Sequence, residues 1–212
     1  NLEKLRASFL EFANKVPYYG RSILCADDLE LLKILPSLTK PYWTYGFSKD
    51  SNFQITAFRP REMGSEFTLL RDGKKLCEVS LNLAGEHNSR NAVGALAAAL
   101  ELDIGLQKAL DALACFNGVR RRFEVKGKLR IGSPRGPKGD EDRQVTIIDD
   151  YGHHPTEIAA TLDAARSFWN GRILVAFQPH RYSRTKICWD QFGPSLKKAD
   201  EVHIEKIYEE DL

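Results

Sequence analysis

The 212-residue sequence predicts an α/β protein made of two structural units. Three observations indicate this fold class. Apolar residues recur at the spacing of amphipathic helices, strand-like segments follow one another up to residue 83, and strands alternate with helices after residue 145. The hydrophobic content of 42% is sufficient for a core. We therefore expect a mixed sheet with helices in the first unit and a parallel, doubly wound sheet in the second.

The first half of the chain predicts helices around a small sheet. Leu2, Leu5 and Phe9 recur on one face of the first expected helix. The expected helices cover residues 1–16, 29–35, 85–102 and 105–116, and the expected strands cover residues 21–28, 42–48, 52–58, 65–71 and 76–83. An Asp-Gly pair at 72–73 joins the last two strands, and it is the sequence signal of a hairpin turn.

The second half of the chain alternates between strands and helices. Residues 118–131 run from a basic turn into an alternating strand. Further strands are expected over residues 145–149, 172–178 and 201–207, and helices over residues 156–168 and 185–197. Residues 132–144 combine glycines, prolines and charges, which predicts an exposed loop or a disordered insertion. We place the boundary of the units in the basic segment 119–122, so that they span residues 1–121 and 122–212.

Charge and cysteine content argue against several classes of protein. The net charge of +2 provides no general attraction to nucleic acid or to an anionic membrane. No apolar run approaches the ~20 residues that a membrane span needs, and no signal peptide is visible. The four cysteines include no CxxC pair, which indicates free thiols rather than disulfides or a zinc site. These observations predict a cytoplasmic protein.

Polar residues follow two of the predicted strands. The motif DDYGHHP, residues 149–155, follows the strand 145–149, and the motif PHRYSRT, residues 179–185, follows the strand 172–178. The carboxyl ends of neighbouring parallel strands open on one edge of a sheet. If these strands are neighbours, both loops face one crevice. The side chains expected in this crevice are Asp150, Tyr151, His153, His154, His180, Arg181 and Arg184.

The cationic residues of the second loop predict an anion site. Arg181 and Arg184, together with His180, can bind a carboxylate or a phosphate through charge-assisted hydrogen bonds. Thr156 or Thr185 is expected to cap the helix that follows its loop. The alternative is that these arginines form structural salt bridges at the start of a helix.

The paired histidines and aspartates of the first loop leave two assignments open. Adjacent side chains of extended backbone point in opposite directions, so His153 and His154 rarely ligate one ion together. No metal-ligand spacing such as HxH supports a zinc site, and we expect no metal here. One histidine is expected to contact substrate while its neighbour makes a structural hydrogen bond. Likewise, one of Asp149 and Asp150 is expected to hold the loop, which leaves the other for a ligand.

Two asparagines, Asn88 and Asn91, lie at the start of the Ala-rich helix. An asparagine carboxamide presents a donor and an acceptor together, which matches the N6/N7 edge of adenine. The alternative is that these asparagines cap the helix or satisfy a turn. From the residues alone, the structural role is the favoured one of the two.

The order and spacing of these motifs resemble a known family. GEHNSRNAVGALAAAL, FNGVRRRFEVKG, DDYGHHPTEIAATLDAAR and AFQPHRYSRT make the chain similar to the Mur ligase family over essentially its whole length. The resemblance implies that residues 1–121 are part of a central ATP-binding domain. It implies that residues 122–212 are part of a Rossmann-like C-terminal domain that binds the amino acid.

The resemblance also implies an activity, which is the ATP-dependent addition of L-alanine to UDP-N-acetylmuramate through an acyl phosphate in peptidoglycan synthesis. Asn91 and Asn88 are then expected to contact the adenine of ATP, Arg122 the phosphates and Asp150 the ribose. The residues implied to hold the amino acid and the muramoyl group are Tyr151, His153, His180, Arg181 and Arg184. The last four of these are the implied catalytic residues.

One part of the family pattern is absent from this sequence. No phosphate loop of the form GxxxxGK[ST] occurs, and the resemblance implies that the ligands for Mg²⁺ and the UDP-binding domain lie upstream. We therefore expect a portion of a longer ligase that is inactive by itself. The alternatives are a related ligase that recycles murein tripeptide, a non-catalytic module that binds nucleotide or precursor, and, ranked last, a metal-dependent hydrolase.

Overall fold

A computed structural model describes residues 2–131 and 143–208 of the chain. The chain divides into two compact units, Asn1–Phe116 and Asn117–Leu212. The assignment of residues 1–121 and 122–212 to two ligase domains stays a prediction. Among the described helices, none is both long and apolar enough to cross a membrane.

The described residues of the first unit form four α-helices and one five-stranded sheet. The helices are α1 (Leu2–Ala13), α2 (Leu29–Ile34), α3 (Glu86–Glu101) and α4 (Leu106–Cys115), and the strands are β1 (Ser22–Cys25), β2 (Tyr42–Gly46), β3 (Phe53–Arg61), β4 (Gly64–Arg71) and β5 (Lys74–Leu81). A 3-10 turn, Leu35–Ser37, follows α2. The helices and strands predicted for this half of the chain are therefore confirmed.

The sheet of the first unit is mixed, as the sequence predicts. Its strand order is β1-β2-β3-β4-β5, in which β1, β2 and β3 are parallel and the pairs β3–β4 and β4–β5 are antiparallel. Asp72 and Gly73 join β4 to β5 with φ values of 48° and 76°. Positive φ at both central residues is characteristic of the tight turn that the Asp-Gly pair predicts.

The core of the first unit lies between the sheet and helix α3. Phe53, Phe67 and Leu69 alternate with more exposed residues along β3 and β4, and each is at most 2% exposed. Val93 and Leu96 of α3 pack against this side of the sheet. This core fixes α3, and with it the two asparagines near the start of the helix.

Helix α1 forms as predicted, but most of its apolar side is exposed. Leu2, Leu5, Phe9 and Phe12 are each 48–74% exposed, whereas Ala13 is buried. The hydroxyl of Ser22 donates to the carbonyl of Ala13 at 2.8 Å and ties the end of the helix to β1. The amphipathic pattern therefore predicted the helix correctly, and among the described residues most of its apolar side is not covered.

The second unit contains strands and helices in the predicted alternation. Its elements are β6 (Glu124–Ile131), β7 (Arg143–Asp149), α5 (Pro155–Phe168), β8 (Leu174–Phe177), α6 (Tyr182–Ile187), α7 (Trp189–Leu196) and β9 (Glu201–Ile204). Ile158 and Leu162 of α5 pack with Phe177 and Leu196 in its core. Of the loop predicted over 132–144, residues 132–142 lie outside the described part of the chain.

Two details of the second unit differ from the sequence analysis. Strand β7 pairs antiparallel with β6, whereas β8 pairs parallel with β9 in a separate sheet. The condition that the strands before the two polar loops are neighbours is therefore not met. Pairing partners are non-local, and the alternation of elements along the chain does not determine them. The helix predicted over 185–197 is divided in two at Cys188.

Candidate functional site

The two polar loops of the second unit converge although their strands belong to different sheets. The rings of Tyr151 and His153 lie 5.2 Å apart, and the ring of His180 lies 5.7 Å from Tyr151 and 6.4 Å from His153, measured between centroids. The loop after β7 and the loop after β8 therefore meet in one cluster. This outcome agrees with the sequence prediction, but strand pairing is not the reason for it.

Asp150 holds the first loop in place. Its Oδ2 accepts the backbone N–H of Phe123 at 2.8 Å, and its Oδ1 accepts that of Gly152 at 2.7 Å. The side chain of Asp149 instead lies near Arg121, with 3.7 Å between Oδ2 and Nε. The expectation that one aspartate holds the loop is confirmed for Asp150. Because each carboxylate oxygen can accept a second hydrogen bond, the contact of Asp150 with a ribose stays a prediction.

His154 and Glu157 cap helix α5 together. Nδ1 of His154 accepts the N–H of Thr156 at 3.2 Å, while Oε2 of Glu157 accepts the N–H groups of His153 at 3.0 Å and His154 at 3.2 Å. This reciprocal arrangement is a capping box. The expectation that one histidine makes a structural hydrogen bond is confirmed. The expectation that Thr156 is the cap is wrong, because the preceding imidazole occupies that position.

Thr185 does not cap helix α6 either. It lies inside the helix, is 5% exposed, and donates from its hydroxyl to the carbonyl of Arg181 at 3.0 Å. A threonine inside a helix commonly bonds the carbonyl one turn earlier. The threonine prediction failed in both loops because neither residue stands immediately before the first helical turn.

Glu157 is ionised in this environment. Burial tends to raise the pKa of its carboxyl, but the N–H groups of His153 and His154, the charge of His153 and the side chain of Arg122 hold that pKa below its ordinary value. A terminal nitrogen of Arg122 lies 3.4 Å from Oε1. The Arg122 side chain remains 52% exposed, and its contact with nucleotide phosphates stays a prediction.

Arg181 and Arg184 retain their hydrogen-bonding capacity within the described structure. In residues 2–131 and 143–208, neither guanidinium group forms an ion pair or a hydrogen bond with the protein. Arg181 is exposed and Arg184 is partly buried. The alternative of structural salt bridges is therefore not seen in the part of the chain that the structure describes. Two unpaired cations on the loop of His180 are suited to bind an anionic group.

Two residues that the sequence analysis did not assign also join the cluster. The guanidinium carbon of Arg121 lies 4.7 Å from the centroid of the Tyr151 ring, which is a cation–π contact. The ring of Tyr208 lies 4.8 Å from that of His180. The basic segment 119–122 pointed to the region of Arg121, whereas no motif pointed to Tyr208.

The two asparagines of the first unit differ in their surroundings. The side-chain N–H of Asn88 donates to the carbonyl of Ala84 at 2.8 Å, as the structural alternative predicts. Asn91 is exposed on α3, and its carboxamide makes no hydrogen bond with the described residues. Asn91 is therefore the better candidate for a nucleotide contact.

No metal site is evident in the described ranges. Among residues 2–131 and 143–208, no group of three or more histidine, cysteine, aspartate or glutamate side chains could hold a metal ion. The site that remains consists of imidazole, phenol and guanidinium groups. These groups can bind anions and transfer protons.

Family models and one curated relative match most of the chain. The model of the Mur ligase middle domain matches residues 1–99, and that of the Mur ligase glutamate ligase domain matches residues 136–210. A UDP-N-acetylmuramate–L-alanine ligase from Paraburkholderia xenovorans (strain LB400) is 40% identical over 206 residues. The match covers 97% of this chain and 43% of the relative.

Solved structures show the same fold. The crystal structure of UDP-N-acetylmuramate-alanine ligase MurC from Thermotoga maritima gives a TM-score of 0.74 with 26% identity, over 98% of this chain and 42% of that chain. A MurF ligase from Thermotoga maritima, solved in complex with ADP, gives a TM-score of 0.71 with 17% identity. That match covers 95% of this chain and 44% of the other, and at this identity it supports the fold alone.

The chain thus spans less than half of the length of the proteins it matches. The two family models cover most of its residues. The middle-domain model matches residues in the first unit, and the glutamate ligase domain model matches residues in the second. The polar loops after β7 and β8 fall inside the C-terminal match, and the asparagines of α3 fall inside the middle-domain match. The chain therefore belongs to the Mur ligase family and contains sequence of its middle and C-terminal domains.

Proposed function

We propose that this chain is part of a cytoplasmic, ATP-dependent ligase that joins L-alanine to UDP-N-acetylmuramate in peptidoglycan synthesis. The observation that carries the proposal is the convergence of Tyr151, His153 and His180, with two unpaired arginines on the loop of His180. The 40% identity to a ligase with this name supports the choice of L-alanine and of the nucleotide sugar.

The arginines suit the charges of this reaction. Both proposed substrates carry a carboxylate, and negative charge accumulates on the carbonyl oxygen when an amine attacks an activated carboxyl group. Arg181 and Arg184 can bind such groups with charge-assisted hydrogen bonds because no described residue competes for their guanidinium groups. In this proposal, they hold the amino acid and the muramoyl end in position for attack.

His153 is suited to accept a proton from the attacking amine. Its Nδ1 lies 3.0 Å from the carbonyl oxygen of Tyr151, and a carbonyl can only accept, so Nδ1 carries the hydrogen. Nε2 then has the free lone pair and can take a proton from the ammonium group of the amino acid. The carboxylate of Glu157, 3.8 Å from Nδ1, stabilises the imidazolium that results.

ATP supplies the phosphoryl group that activates the muramoyl carboxylate in this proposal. The exposed carboxamide of Asn91 offers the donor and acceptor that an adenine edge requires, and Asn88 can contribute its remaining carbonyl oxygen. Arg122 offers a half-exposed guanidinium group for the phosphates. The described residues provide no cluster for Mg²⁺, and no step is assigned to that ion.

A ligation assay on the protein encoded by the complete gene tests the proposal. ATP and UDP-N-acetylmuramate are supplied with L-alanine, glycine, L-serine or murein tripeptide, and phosphate release is measured. Release is expected only when all three substrates are present, with the highest kcat/KM for L-alanine. Identification of the product by mass spectrometry distinguishes amide formation from simple ATP hydrolysis.

The same assay separates the alternatives. A preference for murein tripeptide over L-alanine supports the recycling ligase. Binding of ATP and of the nucleotide sugar without phosphate release supports a non-catalytic binding module. A stoichiometric zinc or iron in the purified protein, with no ligation, supports a metal-dependent hydrolase. Each of these three results contradicts the proposed alanine ligase.

A further inference from the structure

The end of the described chain pairs with the loop that carries His180. His180 and Tyr208 form an isolated parallel β-bridge. The N–H of Tyr208 donates to the carbonyl of Pro179 at 2.8 Å, and the N–H of Arg181 donates to the carbonyl of Tyr208 at 3.0 Å. Two backbone hydrogen bonds therefore fix Tyr208 beside the cluster, although no sequence motif includes it.

The ring of Tyr208 also contacts the ring of His180. Their centroids are 4.8 Å apart and their planes are inclined by 40°, while the ring of Tyr151 meets His180 at 5.7 Å and 68°. No hydrogen bond to the His180 imidazole exists within residues 2–131 and 143–208. Ring contacts with the two tyrosines and His153 are therefore the interactions that orient this imidazole.

The backbone of Tyr208 supports an unusual conformation at Arg181. Arg181 has a φ of 66° and a ψ of 124°. Residues other than glycine rarely adopt a positive φ. Such a conformation persists only when its surroundings hold it. Its N–H is bound by Tyr208, and its carbonyl accepts from the N–H of Thr185 at 3.1 Å and from the hydroxyl at 3.0 Å.

We propose that Tyr208 is a positioning residue for the amino-acid site, where its ring orients His180 and its carbonyl holds the backbone of Arg181. Tyr208 acts through these two residues and not on the substrate. The proposal rests on the proposed function for the role of His180 and Arg181. The ring contact between Tyr208 and His180 can be tested without any ligase activity.

The first test is the histidine NMR spectrum of the 212-residue chain. Tyr208→Leu removes the aromatic ring 4.8 Å from that of His180 and its ring current, so the Hε1 resonance of His180 is expected to shift. Tyr208→Phe keeps the ring and is expected to leave the resonance near its original place. His87 and His203 serve as internal references, and Tyr182→Leu is the matched control, since Tyr182 has no ring contact in the described structure.

The second test is steady-state kinetics in the protein encoded by the complete gene. Tyr208→Leu is expected to raise the KM for L-alanine by roughly 3- to 10-fold, which is the effect of one aromatic contact. The KM for ATP is expected to stay unchanged. Tyr208→Phe is expected to behave like the original protein, because no described contact uses the hydroxyl.

The outcomes separate positioning from a general structural role. A displaced His180 resonance in Tyr208→Leu, together with a selective rise in the KM for L-alanine, supports the proposal. An unmoved His180 resonance overturns the proposal. An equal fall in kcat/KM for all three substrates, together with a lower melting temperature, also overturns it. If the complete protein ligates no amino acid, the function proposed above fails, and the NMR result still decides whether Tyr208 orients His180.

Discussion

Arg90 in the first unit differs from Arg181 and Arg184 in the second in the partners of its guanidinium group. In the first unit, Nε of Arg90 donates to Asp27 at 2.6 Å, and a terminal nitrogen donates to Glu86 at 3.1 Å. In the second unit, Arg181 and Arg184 have no ion pair within the described residues. The comparison indicates which arginines stabilise the fold and which remain able to bind an anion.

The pair of Arg90 and Asp27 is built into the fold of the first unit. Asp27 also accepts the N–H groups of Phe47 and Ser48 at 2.9 Å. Burial tends to raise the pKa of Asp27, but these bonds and the Arg90 guanidinium hold that pKa below its ordinary value. Gly46 leaves room for the carboxylate, because a Cβ there would lie 2.6 Å from Oδ1. Arg181 and Arg184 have no carboxylate partner of this kind among the described residues, so their guanidinium groups remain able to bind an anion.

The largest expected effect is the loss of activity in Arg184→Ala. In the protein encoded by the complete gene, we expect kcat/KM for L-alanine to fall by about 100-fold or more, the usual cost of removing a group that stabilises transition-state charge. The free energy of unfolding is expected to change by less than about 0.5 kcal/mol, because no described ion pair is lost. Arg61→Ala, which removes a surface pair with Glu66, is the control and keeps its activity. Unchanged kinetics in Arg184→Ala would remove this residue from the site.

Arg90→Ala is expected to give the opposite result. It removes charge-assisted hydrogen bonds to the partly buried Asp27, which typically costs about 2 kcal/mol of unfolding free energy. Chemical denaturation of the 212-residue chain measures this loss, and Arg61→Ala again provides the comparison because exposed pairs contribute about 0–1 kcal/mol. If Arg61→Ala and Arg90→Ala destabilise equally, the distinction between structural and surface pairs fails.

A smaller effect is expected for the asparagines of α3. Asn91→Ala removes an exposed carboxamide without a described partner, so the affinity for ATP is expected to fall roughly 10-fold while stability is unchanged. Asn88→Ala removes the bond to Ala84 and is expected to lower the unfolding free energy by about 1 kcal/mol. Calorimetric titration and denaturation measure the two quantities. Equal losses of ATP and nucleotide-sugar affinity in Asn91→Ala would contradict the adenine assignment.

The smallest effect concerns acid stability in the second unit. The pKa of Glu157 is below its ordinary value of 4.5 in the folded chain, so its carboxylate stabilises the fold above about that pH. This contribution is lost as the pH falls through the lowered folded pKa. Below about pH 4.5, the unfolding free energy of Glu157→Gln is therefore expected to decline less steeply with falling pH than that of the original chain. If the unfolding free energies of the two proteins decline in parallel as the pH falls, the Glu157 carboxylate contributes nothing to acid stability.

Local patterns in the sequence predicted the elements well. The three- and four-residue spacing of apolar residues marked α1, and strand-like segments marked β3 and β4. The Asp-Gly pair marked the β4–β5 hairpin. These features depend on residues that are close in the chain, where backbone preference and side-chain period act directly. The cluster of polar residues after β7 and β8 was also visible as two motifs.

Non-local contacts were less accessible from the sequence. The pairing of β7 with β6 and the bridge of Tyr208 with His180 join segments that no motif connects. The cap of α5 escaped prediction for another reason: helix caps are most often serine, threonine, aspartate or asparagine, and here His154 provides the acceptor. Arg181 in a left-handed conformation is likewise unexpected for a residue with a side chain.

The cap of α5 couples the backbone of His153 to the start of the helix. Oε2 of Glu157 accepts from the N–H groups of both His153 and His154, while Ile158 of the same helix packs in the core of the second unit. A substitution that shifts the first turn of α5 would therefore also displace the backbone that presents His153.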